Sequence, residues 1–432
     1  MPYYASRLLC RGYKVYWLKP MIARLKHRRL LWLLLLAGGV PAWFQFGRGT
    51  SGQESALDWF GVANAQESDV TPMGGDIIPL RQVTDPYPVF NGIAVDPVNN
   101  LVAMTDVNRK SIVSYDRSAS AGARITPPRR QVFGPLTNIG FVAGIYADSE
   151  HKEILAVNND IEDTMVVLRY DAQGNASPAR ILSIPHQAWG IALSRSHDQI
   201  AITVELQQAV VFYKRDAQSV TPPLRNIRGP NTGLADPHGI VWDDAHNEIA
   251  VANHGNFRGL VRDTGAGCAP TGTADPEGGA VLPPSITFYS GDAHGDQKPL
   301  RSIQGIRSQL DFPMGLGVDA DHNELAVANN GDNSVLVFSR TASGDAAPIR
   351  VIRGDKTGIN RPMGVAIDIM HNELWVSNFM DHTALVFERS DKGNVAPKRV
   401  IRTAPPGTPT PGFGNPQTVA YDSTRDQILV PN

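Results

Sequence analysis

The chain has 432 residues, with 40 Lys and Arg, 42 Asp and Glu, and two cysteines. Nine of the basic residues and no acid fall in residues 1–50, which leaves 31 basic against 42 acidic groups over residues 51–432, a net of −11. An acidic body of this kind has no general affinity for nucleic acid or anionic lipid. Cys10 and Cys268 alone provide neither a Cys metal cluster nor a structural disulfide in a chain processed after its leader.

The first element in chain order, residues 1–46, is a basic region followed by an apolar one. "RLKHRR" precedes "LLWLLLLAGGVPAWFQF", which runs uncharged from Leu30 to Phe46. As a helix this run would span roughly 26 Å, a little short of the ~30 Å hydrocarbon core. It reads as an export signal, either cleaved at Val40-Pro41-Ala42 or kept as a single N-terminal membrane span, with the positive flank in the cytoplasm. A start at Met21 gives a basic region of more ordinary length. The expected location is periplasmic or extracellular. Residues 47–75 follow as a linker.

From residue 76 onward one four-part unit repeats. A Gly-apolar strand ends in a turn acid in "GIAVD", "GIYAD", "GIVWD", "GLGVD" and "GVAID", with "GIALS" and "TVAYD" as variants. A second strand follows ("LVAMTD", "ILAVNN", "IAVANH", "LAVANN"), then an apolar third such as "SITFYSG" or "SVLVFSR". A Pro-x-Arg strand closes each unit, with Arg130, Arg180, Arg225, Arg301, Arg350 and Arg399 in register. Four short strands per ~50 residues, divided by Gly, Asn, Asp and Pro turns, predict an all-β chain folded as a β-propeller. One such sheet cannot bury both faces alone, so the units must stack around an axis. The glycine-bearing strand suits the crowded axis, and the aromatic-rich third strand suits the wider space between blades.

A seventh Pro-x-Arg, at Arg81, precedes the first unit, and two more strands end the chain. The expectation is therefore seven blades, one of them closed by N- and C-terminal strands, with six blades and surplus terminal strands as the alternative. The step from Gly239 to Gly315 is 76 residues, and it marks an insert of blade four at about 257–284. Long irregular loops in repeat folds serve as lids or docking elements, or simply extend into solvent. The unit as written in "PMGVAIDIMHNELWVSNFMDHTALVFERS" resembles the NHL/YVTN type of propeller repeat. The resemblance covers residues 76–432 and implies the fold, not an activity. Gluconolactonase-like propellers and amidating lyases, which are related, carry a divalent metal in the channel, but their full ligand sets are not legible here. WD40 is a weaker match, resting on Trp242-Asp243 alone.

"DADHNE" at 319–324 places Asp319, Asp321 and Asn323 at alternate positions, as in the opening of an EF-hand loop. No Gly follows Asn323, and Asn330 occupies the twelfth position where a bidentate Glu belongs. Sister segments recur between the first and second strands, each with a histidine (His151, His197, His246, His322, His371). One equivalent turn per blade cannot share an ion, so these are read as Asx-type turns. The arginines are likewise read as partners of local carboxylates.

Function is expected where blades differ, at the channel mouth. One residue per blade after the second strand gives Asp106, Asn159, Glu205, His254, Asn330 and Phe379. Those before the first-strand glycine include Trp189, His238, Met314 and Met363. The three imidazoles of His186, His238 and His254, with the Glu205 carboxylate, could jointly hold a divalent metal or form an acid/base pair; no other cofactor is implied. The candidate ligand-binding set is thus Asp106, Asn159, His186, Trp189, Glu205, His238, His254 and Asn330. The chain lacks a phosphate loop, an H-E-x-x-H and a Ser-His-Asp order. Three functions fit: a non-enzymatic exported module binding a small ligand, glycan or envelope protein; a metal-dependent lyase or lactonase; and a structural part of a membrane-associated complex.

Overall fold

The computed structural model describes residues 85–120, 124–159, 162–255 and 282–410, together with short stretches at 420–424 and 427–429. The leader, the linker, Arg81 and most of the blade-four insert lie outside the described residues. Among the described residues no helix is long and apolar enough to cross a membrane.

The described residues form six four-stranded antiparallel sheets, at residues 90–133, 142–183, 188–228, 237–303, 313–352 and 362–402, each with its strands in sequence order. They are called blades one to six. First strands such as Pro237–Asp243 line an axial channel, as their small residues and glycines predict. In every blade the pairing of first and second strands shifts register around the residue before the glycine. Such a bulge lifts that residue out of the ladder and re-aims its side chain.

The second strand of blade one, Leu101–Asp106, is buried along its whole length, because a neighbouring blade covers each face. The core therefore lies between sheets. One cluster joins Leu155, Val157 and Met165 of blade two to Ile200, Ile202 and Tyr213 of blade three. The large side chains that fill these layers come mainly from third strands: Tyr115, Phe212, Phe288, Phe338 and Phe387 are all fully buried. Burial is worth roughly 2 kcal/mol for each.

The ring closes between blades six and one, so the fold is a six-bladed β-propeller and the seven-bladed expectation is corrected. Three observations establish this. Trp375, Val386 and Ile401 of blade six share a core cluster with Phe90, Met104 and Tyr115 of blade one. The Ser377 hydroxyl of blade six donates to the Asn91 carbonyl of blade one at 2.6 Å, as Thr105 of blade one does to Ala143 of blade two. At the outer edge the Thr126 N–H donates to the Arg402 carbonyl, matching the parallel bridges that join the other consecutive blades. A seventh sheet has no place in a ring already closed this way. "TVAYD" and "ILVPN" do yield strands, Ala420–Asp422 and Gln427–Leu429, but among the described residues these pair only with each other.

The recurrent arginines hold the ring. Arg180, Arg301, Arg350 and Arg399 each make a two-pronged bond to a glutamate opening the second strand of their own blade: Glu153, Glu248, Glu324 and Glu373. The same glutamates receive a second arginine from the following blade: Arg215, Arg340, Arg389 and, across the closure, Arg117. Blades one and three break the pattern, with Leu101 and Gln199 in place of the glutamate, and Arg225 of blade three lies 3.4 Å over the Phe212 ring.

The histidine-bearing turns are structural, as expected. His151, His246, His322 and His371 each place Nδ1 within 2.7–2.8 Å of the acid that ends the first strand. Asp319 accepts from the His322 N–H and ring, and Asn323 takes a left-handed φ of 57° to complete the turn.

Candidate functional site

One hydrogen bond defines equivalent positions at the mouth. The residue following each second strand donates its N–H to a carbonyl just ahead of the first strand. The six pairs are Val107 to Val89, Asn159 to Phe141, Glu205 to Gln187, His254 to Asp236, Asn330 to Phe312 and Phe379 to Arg361. The bulged residue before the glycine completes a set of three per blade. Only blade four puts metal-ligating side chains at all three positions, Asp236, His238 and His254.

This register corrects Asp106, which lies one residue early; the true counterpart of Glu205 and His254 is Val107. Asp106 instead accepts from the N–H groups of Val89, Asn108 and Arg109 and from the Ser111 hydroxyl. Asn158, Asn253, Asn329 and Asn378 likewise accept a backbone N–H from the loop ahead of the first strand. Burial pushes the Asp106 carboxyl up to about 6 despite these donors. Its role is to hold a loop.

His186 is also removed from the site: it pairs with Asp163 at 2.8 Å on an exposed surface. Asn330 turns to blade six, where its amide donates to the Pro362 carbonyl and approaches the Met363 sulfur. Five predicted residues do converge, namely Asn159, Trp189, Glu205, His238 and His254.

The His238 and His254 rings stack, with centroids 3.5 Å apart and planes 18° from parallel. His238 Nδ1 lies 3.8 Å from Asp236 Oδ1 and 3.1 Å from the Asp236 carbonyl oxygen. His254 Nδ1 lies 3.5 Å from Asp236 Oδ2. On the opposite edges, His238 Nε2 stands 3.5 Å from Glu205 Oε1, and His254 Nε2 lies 2.7 Å from the Met314 sulfur. The Asn159 amide links the Glu205 carboxylate to the Ala188 carbonyl. Trp189 packs 4.6 Å from the His238 ring, and Phe312, 54% exposed, 5.0 Å from that of His254.

Burial, and then the neighbouring His254, pull His238 down to about 3, so it is neutral at physiological pH. Burial pushes Asp236 up, but its contacts with His254 and His238 outweigh this and hold the carboxyl below its ordinary value. The group combines neutral imidazole, carboxylate and aromatic faces in one sector. The ligand atoms of Asp236, His238 and His254 all lie within 4.8 Å of one another, and among the described residues this is the group that could hold a metal.

Sequence reasoning missed Asp236, although Asp236-Pro237-His238 carried a signal: an acid and an imidazole two residues apart, leading into the bulge. The channel behind the mouth has a volume of about 360 Å³, lined by the first strands of all six blades, with Trp189 at its rim position. That volume lies at the lower end of the range for small-molecule sites.

The geometry defines a six-bladed β-propeller with a one-sided polar mouth. No family model and no curated protein sequence matches the chain. Among solved structures it is similar to a chain of a nidogen/laminin complex, at 16% identity and a TM-score of 0.44, covering 73% of this chain and 95% of that one. It is also similar to the WD40 β-propeller domain of Doa1, at 14% identity and a TM-score of 0.43, covering 80% and 93%.

Proposed function

We propose that this chain is an exported propeller of the NHL/YVTN kind that binds a small polar ligand at the mouth of its axial channel. The observation that carries this reading is the crowding of Trp189, Glu205, His238 and His254 into the sector of blades three and four. At the matching positions blades one, two and six present Asn91, Val107, Ala143, Asn159, Met363 and Phe379, a less polar and uncharged set. Aromatic faces beside a few oriented polar groups are what a small-molecule site requires. A glycan end or a side chain of an envelope protein would meet the same chemistry. Export is supported by the basic stretch ahead of the uncharged run from Leu30 to Phe46.

The test is a thermal-shift panel of monosaccharides, short oligosaccharides, hydroxy acids and lactones on the wild type, Trp189→Ala and Glu205→Gln. A ligand of this site should raise the wild-type midpoint by several degrees and lose most of that effect in both variants. If every active compound shifts all three proteins equally, the mouth is not the site.

A second reading, a metal-dependent lyase or lactonase-like hydrolase, is favoured by the Glu205 carboxylate 3.5 Å from His238. A carboxylate beside an imidazole suits proton transfer. Turnover of lactones that requires added zinc and disappears in Glu205→Gln would select it.

A further inference from the structure

We infer that Asp236, His238 and His254 form a binding site for a divalent transition metal ion of the zinc class. Its ligands would be one carboxylate oxygen and the Nδ1 atoms of both imidazoles, with coordination left over for water or a bound molecule. The inference deepens the mouth-site reading above: the ion's role rests on that reading, while its binding does not.

The distances carry the argument first. In a tetrahedral zinc site with bonds of about 2.0–2.1 Å, neighbouring ligand atoms stand about 3.4 Å apart. Asp236 Oδ2 lies 3.5 Å from His254 Nδ1 and Asp236 Oδ1 lies 3.8 Å from His238 Nδ1. The rings are stacked, so their Nδ1 lone pairs run side by side, and one ring must turn about its Cβ–Cγ bond for both nitrogens to meet a single ion. The three side chains are largely buried, at 19%, 7% and 10% exposure for Asp236, His238 and His254.

The far edge of the His238 ring supplies the second argument. A histidine bound to metal through Nδ1 carries its proton on Nε2 and needs an acceptor there. Glu205 Oε1 waits 3.5 Å from His238 Nε2, itself held by Asn159 from the preceding blade. Without metal, Nδ1–H of His238 can donate to the Asp236 carbonyl at 3.1 Å. On binding, that proton leaves Nδ1 and Nε2 takes one up, so the ring stays neutral.

Two imidazoles and one carboxylate favour zinc, cobalt or iron(II) over calcium and magnesium, which take oxygen ligands. Three protein ligands also match open sites rather than closed structural ones.

The experiment strips the full chain with a chelator and titrates it with Zn²⁺ against a chromophoric competitor. Co²⁺ in parallel reports coordination through its visible absorption. One equivalent should bind. Affinity should fall at least ~100-fold in His254→Ala and Asp236→Asn, fall ~10-fold in Glu205→Gln, and stay unchanged in His186→Ala, whose imidazole pairs with Asp163 on the exposed surface. His254→Gln, closer in size and still polar, serves if the alanine variant does not fold, as judged by near-UV circular dichroism. Binding of much less than one equivalent, or one equivalent with unchanged affinity in both His254 and Asp236 variants, overturns the site. The two readings fail separately: metal titration uses the ion alone, and the organic panel is run on stripped protein.

Discussion

At the scale of single residues, the ring depends on carboxylates that each serve two blades. Glu373 is 3% exposed and meets Arg399 and Lys398 of its own blade and Arg117 of blade one. Replacing one member of such a buried group strands the others, so Glu373→Gln should destabilise the fold by about 3 kcal/mol, read from the urea midpoint. Acid should act through the same residue. Burial pushes its carboxyl up, but Arg399, Lys398 and Arg117 overcome this and bring it down to about 2 from 4.5. A carboxylate depressed in the folded state gives its full stabilisation above the unfolded pKa and loses it as protons bind the folded form. Stability should therefore decline as pH falls from about 4.5 toward 2, and the Gln variant should show a shallower decline over that window. Equal slopes would mean that Glu373 is not the group titrating. Glu153 and Glu324, lowered by arginine contacts against the same burial effect, add to the wild-type slope in both proteins.

At the scale of strands, the first-strand glycine decides how closely blades approach at the axis. A Cβ on Gly239 would sit 2.0 Å from the Met314 carbonyl oxygen of the next blade, and a backbone atom has no easy retreat. Gly317, in the first strand of blade five, meets nothing nearer than 3.4 Å. Gly239→Ala should therefore cost about 3 kcal/mol, while Gly317→Ala should change stability by less than about 1 kcal/mol, both by chemical unfolding. Similar costs at the two sites would show that the axis tolerates expansion. The repeat made this architecture legible, because strand order, the axial glycines and the Glu–Arg partners all follow a period visible in sequence. The site was legible only in part. His238, His254 and Glu205 stood out as departures from the repeat, but Asp236 lies in a loop whose length and composition differ between blades. Its place is fixed by the His254 N–H donating to its carbonyl, a contact that no local pattern announces. Asp106 shows the converse: its local sequence matches that of its counterparts, yet it sits one residue off the hydrogen-bond register that Val107 keeps.

At the scale of the whole molecule, the number of blades depends on what seals the ring, and strand signals alone overcounted it. Terminal strand patterns resemble an interrupted seventh blade, because a strand's sequence records its own alternation and not its neighbour. The packing of Trp375 against Phe90 and Tyr115 settles the partner, and Arg117 repeats across the closure the bond that Arg215, Arg340 and Arg389 make elsewhere. A chain ending at residue 410 should therefore keep the propeller. Its thermal midpoint should fall by no more than a few degrees, and it should remain monodisperse on gel filtration. Hydrogen exchange in Phe90–Asp96 and Pro362–Asp368, the two first strands that meet at the closure, should stay as slow as in the full chain. If residues 411–432 instead complete a blade between them, removing that segment exposes both strands. Fast exchange in Phe90–Asp96, with loss of cooperative unfolding, would then return the count to seven.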